Sequence, residues 1–419
     1  MHEILTIQCG ERANYLGTHF WNFQEPYFQE SDSVLDHDVL YQHGISPTSL
    51  EIYLPRVLIY DCARNMGSLR KINQLYDTQV DTESGTEVVQ PESFRVHPFQ
   101  ASLDETPDSS QLSDNSVRYW SDYNMQFYRP TSYLPIDTTA VERPLLTYEQ
   151  GRAAFKERNG QANVMDEDFR AFAEQCDLMQ GFNLISSTCD GWSGFTAELL
   201  LEMEDEFPKL SKFFVDAGRP TSMQHHFNRA DALLVCHDIV DLIVPISTKT
   251  SWTGSALPGL WLDTITLPMR TKESPLRLSD LSSFLSPHNK IYHAQAGEQR
   301  LNAVHGSVQN KFEVVRGDEV SLTSKVLEGS LVTTFTHPQQ QPMPAAFPEG
   351  VKETSSSLLH IPRGTRAWLR DLGRHIHQKQ GRSGYTERKD VVAALKELEA
   401  SYEEEFEQIS DMSSDDDGF

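Results

Sequence analysis

The apolar positions open with a run, Ile4-Leu5-Thr6-Ile7-Gln8-Cys9, broken by Gly10. A run of this kind suits a strand buried on both faces. The spacing then changes: Ala13, Leu16, Gly17, Phe20 and Trp21 recur at the three- and four-residue intervals of a helix. Strand, glycine turn and helix predict an α/β domain with a parallel sheet. Val57-Leu58-Ile59-Tyr60 predicts a second buried strand that ends on Asp61. An acid there lies on the edge where such sheets take ligands. A helix is expected over Asp166–Gln180, with Phe169, Phe172, Ala173, Cys176 and Met179 on one face. Phe182-Asn183-Leu184-Ile185 predicts a further strand. A loop over 186–194 follows, then a helix through Leu199, Leu200 and Met203, stopped by Pro208.

Phe227, Ala230, Leu233, Leu234, His237, Ile239, Val240 and Leu242 place apolar residues on more than one face, which predicts a central helix buried between two domains. Beyond Pro245, strands at Ile291–His293 and Leu331–Phe335 predict a second, smaller α+β domain. A last helix is expected from Thr386, a good N-cap, with Val391, Leu395, Leu398, Tyr402 and Phe406 on one stripe. Two segments break the apolar rhythm. Residues from about 77 to 117 are rich in Ser, Asp, Glu, Thr and Pro and predict a disordered insert; Asp411–Asp417 predicts a disordered acidic tail. The expected organisation is a first domain over 1–245 that includes the central helix, a second over 246–375, and a C-terminal helix and tail over 376–419.

Composition narrows the function. The 419 residues carry 61 acidic against 36 basic side chains, a net charge of -25. Phosphate backbones are held by surplus Lys and Arg, so direct nucleic-acid binding is not expected. Cys9, Cys62, Cys176, Cys189 and Cys236 form no CxxC pair, which argues against a zinc ribbon or a redox dithiol. No run of about eighteen apolar residues predicts a membrane span. The opening Met1-His2-Glu3-Ile4 has neither a secretory nor a mitochondrial leader pattern, so work on an organelle is expected from the cytosolic side. His225, His226 and His237 lack the further ligands of a metal site, and Ser186 and Ser187 lack a nucleophile elbow.

Four blocks carry a family resemblance. In the opening segment, Gln8, Gly10, Asn14, Gly17, Phe20 and Trp21 fall in register with the start of tubulin. Leu54–Asp61 followed by Met66–Arg70 resembles tubulin's second strand and turn; Gln180–Leu184 resembles the strand before its glycine-rich signature loop; Phe227-Asn228 resembles the Tyr-Asn that opens its central helix. The blocks lie in order over roughly the first 245 residues. The insert, the Asp190-Gly191-Trp192-Ser193-Gly194 loop and the shortened second half resemble the Misato family of tubulin-like proteins. That resemblance implies a Rossmann-type first domain, a central helix, a smaller α+β domain and a role in distributing mitochondria and inheriting mitochondrial DNA. It also implies protein partners, with tubulin or its folding machinery among the candidates, and residence in the cytoplasm and peripherally on mitochondria, at the cytosolic face of the outer membrane.

The resemblance implies a GTP site at Gly10, Glu11, Arg12, Asp61, Asp190, Gly191, Gly194 and Asn228, but the residues depart from a working one. Tubulin's signature loop is glycine-rich because backbone N–H groups must approach phosphates closely. Here Trp192 adds bulk and Asp190 adds charge. A carboxylate about 4 Å from a phosphate costs ~4 kcal/mol at an effective dielectric near 20. Glu11-Arg12 replaces Gln-Cys, and Arg12 can pair with Glu11 or reach a phosphate. The acid two positions after Asp61 is Ala63, and the water-activating acid falls near Ser283. The expectation is a protein that is not an enzyme and needs no cofactor. GTP binding without hydrolysis, as a switch or a polymer-forming GTPase relative, is the alternative, resting on Gly10, Arg12, Gly191 and Asn228.

Overall fold

The computed structural model describes residues 2–402 except 30–32, 46–50, 68–95, 104–105, 137–144, 274, 286–289, 297–298, 302–307, 317–320, 328–329, 339–342, 352–355, 363 and 378–388. Strand β1 (Ile4–Cys9) is buried along its length and turns through Gly10 into helix α1 (Glu11–Asn22). A hairpin of β2 (Tyr41–Ile45) and β3 (Glu51–Pro55) leads to β4 (Val57–Cys62). Next come α2 (Pro98–Ser102), β5 (Tyr133–Ile136), α3 (Tyr148–Gln161), α4 (Arg170–Ala173) and β6 (Gly181–Ser186). The first half closes with α5 (Trp192–Glu206), β7 (Ser211–Asp216), α6 (Met223–Ile239) and β8 (Leu242–Pro245). The six strands form one parallel sheet in the order β5-β4-β1-β6-β7-β8. The connections run outward in opposite directions from β1 and β6, so the switch point of this sheet lies between them.

Helix α7 (Trp252–Ile265) follows, then α8 (Leu278–Leu285) and the strands β9 (His293–Ala296), β10 (Gln299–Arg300), β11 (Val308–Arg316), β12 (Ser321–Leu327), β13 (Ser330–His337) and β14 (Ser356–Pro362). They form a mixed sheet ordered β10-β9-β14-β11-β13-β12, with β11 and β13 parallel. Helix α9 (Thr365–His377) and a last helix over 389–402 complete the chain. The fold is α/β, as expected: a parallel Rossmann-type sheet, a buried helix, and a smaller mixed sheet.

Helix α7, not the 227–242 segment, is the helix between the sheets. His19 of α1 touches it on one side through Nε2 and the Trp252 carbonyl, 2.7 Å apart; on the other, Trp261 Nε1 donates to the Leu358 carbonyl of β14 at 3.1 Å. The expected central helix instead divides into α6 and β8. The run Val240–Val244 reads as a helix face or as a buried strand equally well, and pairing with β7 decides for the strand. Helix α7 was hidden by Gly254, Pro258 and Gly259, which lower its helix signal; burial of Ala256, Leu260, Trp261 and Leu262 outweighs that.

Three other expectations are corrected. The insert is ordered over 96–103 and 106–117: Phe99 and Leu112 are buried, and His97 caps α2 through the Phe99 N–H, while residues 77–95 and 104–105 lie outside the described residues. Two anchors in a polar background carry no period. The Asp166–Gln180 helix is a π-turn, Val164–Phe169, and the short α4. It stops because the Glu3 carboxylate accepts the N–H groups of Asp177 and Leu178 at 3.1 and 3.0 Å, giving them partners outside any helix. The boundary at 375 cuts through α9. That helix buries Leu369, Leu372 and Ile376 with Leu233 and Cys236 of α6, so it already belongs with the first sheet. Thr386, Phe406 and Asp411–Asp417 lie outside the described residues.

Candidate functional site

The switch point brings the turn after β1 opposite the loop after β6, and seven of the eight expected site residues lie along these loops and the strand and helix beside them. Gly10 has φ 90, left-handed backbone that favours glycine. A Cβ at Gly10 would collide with the indole of Trp192, the first residue of α5, which is only 6% exposed. The indole also stands 5.2 Å from the Phe195 ring, edge-on. The crevice between the two loops, which a ligand's phosphates would have to enter, is therefore occupied by an aromatic side chain of the chain itself.

Asp190 completes the closure. Its carboxylate accepts the Trp192 N–H at 3.0 Å, one of the backbone donors a phosphate would need. Burial lifts its carboxyl to about 6, against the opposing pull of Ser187 and Arg12. Arg12 stands 3.8 Å from this carboxylate and donates to the Thr248 carbonyl at 3.1 Å. The guanidinium thus pairs with Asp190. Glu11 beside it has its pKa raised by burial, with Arg12 and Arg64 working the other way.

Asp61 is wholly buried at the end of β4. It accepts from Asn14 Nδ2 (2.8 Å), Asn65 Nδ2 (3.0 Å), Trp120 Nε1 (3.1 Å) and the Cys62 N–H (2.8 Å). All four donors are neutral, and burial still pushes the carboxyl up to about 7. Both oxygens are engaged by the protein, which leaves this acid poorly placed to hold a metal ion.

The remaining candidates serve packing. Gly191 lies against Leu145, whose backbone carbon a Cβ would meet at 2.7 Å, and a Cβ at Gly194 would collide with the Tyr148 carbonyl. Helix α3 is thereby held directly on α5. Asn228 donates to the carbonyls of Leu146 (2.7 Å) and Cys189 (3.0 Å) and accepts from the Tyr148 N–H (3.0 Å) and Gln224 Nε2 (2.9 Å). It caps a helix, but that helix is α3 rather than its own. Ser283, on α8, donates its hydroxyl to the Asp280 carbonyl at 2.8 Å.

Sequence reasoning missed a buried ion pair beside this loop. Asp216, at the end of β7, accepts from Arg229 Nη2 (3.0 Å), from the Thr188 N–H and hydroxyl (2.9 and 2.7 Å) and from the Gly218 N–H (2.9 Å). Arg229 also donates to Thr188 Oγ1 and the Gly218 carbonyl, both at 3.0 Å, and its guanidinium lies 5.9 Å from the Trp368 ring of α9. The pair clamps the signature loop to α6 and α9. The run Phe213-Phe214-Val215 ending in Asp216 repeats the strand-then-acid pattern of Asp61 and would have found it. His226 stacks on His375 at 4.6 Å, and His237 Nε2 lies 3.1 Å from the Tyr402 hydroxyl. Among the described residues no group of three His, Cys, Asp or Glu could hold a metal ion.

Comparison with known proteins places this geometry. A family model described as a Misato Segment II tubulin-like domain matches residues 2–113, and one described as a tubulin domain matches residues 109–271. The chain carries Misato Segment II and tubulin-like domains, one after the other. Named relatives agree. The chain is 29% identical to Protein dml1 of Aspergillus clavatus over 99% of its own length and 100% of that protein's. It is 33% identical to the Protein dml1 of Aspergillus niger and to that of Aspergillus oryzae, over 65% of its own length and 62% of each of theirs. Tubulin kinship implies a nucleotide at the switch point, and the residues present do not fit one. The space at Gly10 holds an indole, the Trp192 N–H is capped by an acid, and Asp61 is saturated.

Proposed function

We propose that this chain is a non-enzymatic scaffold with a tubulin-like body that acts in distributing mitochondria and inheriting mitochondrial DNA through contacts with other proteins. The observation that carries the non-enzymatic part is Trp192 seated on Gly10 at the switch point, where a nucleotide's phosphates would have to lie. Phosphoryl transfer depends on positioning and on charge stabilisation by cations and metal, and here Arg12 is engaged with Asp190. The mitochondrial part is supported by the Misato kinship and by nothing in the site itself. On this reading the partners are proteins, tubulin or its folding machinery among them. The chain works in the cytoplasm and peripherally on the cytosolic face of the outer membrane; no described helix is long and apolar enough to cross a membrane.

The test is the nucleotide content of freshly purified protein, with thermal unfolding repeated in GTP and Mg²⁺. No bound nucleotide and no shift are expected. Near-stoichiometric GTP or GDP would overturn the scaffold reading in favour of a nucleotide switch. The cellular arm is depletion of the protein, which is expected to clump mitochondria and to lower transmission of their DNA; a normal network and normal transmission would remove the mitochondrial assignment.

A further inference from the structure

Helix α9 and the last helix enclose a groove of about 430 Å³. Its floor is apolar: Leu369 and Leu395 are buried and Val392 is half-buried. Its rim is basic. Arg370, Arg374 and Lys396 line it against one acid, Glu399; Arg370 is held by Glu399 at 2.7 Å, Arg374 reaches Asp371 at 3.1 Å on its own helix, and Arg374 and Lys396 are both exposed. Gly373 also lines it. Among the described residues nothing stands within 4 Å of where its Cβ would be, although it lies inside a 13-residue helix. A glycine there weakens the helix, no packed neighbour requires it, and it lets a segment come close to the helix backbone. An apolar floor with a positive rim is an unusual surface on a chain of net charge -25.

Two segments of the chain flank the groove. Residues 378–388 carry Lys379, Arg382 and Arg388 against one acid, Glu387, the same sign as the rim. Residues 403–419 follow the wall helix directly. They carry eight acids and no Lys or Arg, with Phe406, Ile409 and Met412 three residues apart. The second segment matches the groove in both respects: apolar anchors for the floor, carboxylates for Arg374 and Lys396. We propose that residues 403–419 bind this groove within the same chain, so that the basic surface is capped by the chain's own acidic segment.

Reach is ample. Seventeen residues span up to roughly 55 Å extended, while the groove runs back from Glu399 to Val392, roughly 10 Å of helix. Tethering gives the segment a millimolar effective concentration, so a weak intrinsic affinity suffices. The contact is charge-based and exposed, so salt weakens it. An acidic partner segment would have to displace it to dock.

The experiment uses the full chain with p-benzoylphenylalanine replacing Phe406, and separately replacing Ile409, irradiated and mapped by peptide mass spectrometry. Cross-links within one chain to residues 369–377 or 392–399 are expected. Their yield should fall at least threefold in 0.5 M salt and in the Arg374→Glu, Lys396→Glu double variant, whose exposed positions leave the fold intact by circular dichroism. Cross-links only between two copies would overturn the proposal in favour of a second chain as occupant. Cross-links elsewhere, none from either position, or a yield indifferent to the charge reversal would overturn it outright.

Discussion

Asp61 and Asp263 are both completely buried carboxylates, one at the loop edge of the first sheet and one on α7 between the two sheets. Asp61 is met by neutral donors from three side chains and its neighbour's N–H. Asp263 is met by two guanidinium groups, Arg270 at 2.8 Å and Arg316 at 2.9 Å, together with Gln24 Nε2 (2.8 Å) and the Tyr27 hydroxyl (2.9 Å). Neutral donors fix where a carboxylate points without compensating its charge, and at Asp61 burial wins. Cations compensate the charge, and two of the four donors tie distant segments to α7: Arg316 comes from β11 of the second sheet, and the neutral Gln24 from just past α1. The edge has been absorbed into a core, whereas the seam is fastened by ions.

The largest expected effect follows from that difference. Asp263→Ala leaves two buried arginines without their carboxylate and should cost ~3–5 kcal/mol, the range for breaking one partner of a buried pair. Asp61→Ala orphans neutral donors only and should cost ~1–3 kcal/mol. Urea unfolding of both variants measures the gap. Equal losses would mean that the charges at the seam are not what holds the two sheets together.

Trp192→Ala comes next. Removing a buried indole should cost roughly 3 kcal/mol. The same variant opens the space at Gly10, so it also probes whether the indole is what keeps a nucleotide out. Urea unfolding gives the first quantity, and thermal unfolding in GTP and Mg²⁺ the second. The variant is expected to stay indifferent to GTP, because Asp190 still caps the loop and Arg12 is still engaged. A GTP-dependent rise in the variant alone would show that the indole is the only barrier.

The edge and the seam should also answer pH with opposite sign. His19 faces α7 with Nε2 on the Trp252 carbonyl, so Nε2 carries the hydrogen, and the buried Nδ1 has no partner among the described residues. Burial lowers its pKa from 6.5 to about 4. Between those values the unfolded chain binds the proton and the folded one does not, so this contribution is present above pH 6.5 and is lost as pH falls towards 4. For Asp61 the folded value lies above the unfolded one, so its contribution is greatest in acid and is lost as pH rises from about 4 through 7. His19→Gln should shift the change in stability between pH 7 and pH 5 by about 2 kcal/mol relative to wild type, in favour of pH 5. Urea midpoints at the two pH values, for wild type and variant, give that difference free of the Asp61 contribution.

Legibility in the sequence followed the same divide. The edge could be read: β1, β4, β6 and α5 are announced by unbroken apolar runs, a glycine turn and a stopping proline. Asp61 was singled out by its place at the end of a strand, whereas Arg12, Asp190 and Gly191 were named through the resemblance to tubulin. Their partners were not, because Asn14 and Trp120 reach Asp61, and Thr248 reaches Arg12, across distances that no local spacing records. The seam could not be read. Helix α7 hides its period behind Pro258 and two glycines, and Asp263, Arg270 and Arg316 look like ordinary surface charges until tertiary packing buries them together.

The smallest effect tests whether the signature-loop glycines now serve packing alone. Gly151 and Gly160 both lie on α3, one near each end. A Cβ at Gly151 would collide with the Gly191 carbonyl, backbone that cannot swing aside, whereas at Gly160 nothing among the described residues stands within 4 Å. Gly151→Ala should therefore push α3 off α5 and cost roughly 1–3 kcal/mol, as overpacking does. Gly160→Ala removes only unfolded-state freedom and should stabilise by ~0.5–1 kcal/mol. Urea midpoints that move in opposite directions would fix the glycine at 151 as a contact between α3 and the signature loop. A neutral Gly151→Ala would mean that the loop can yield, and a loop that yields could still part to admit a ligand at the edge, which the rigid seam around Asp263 could not.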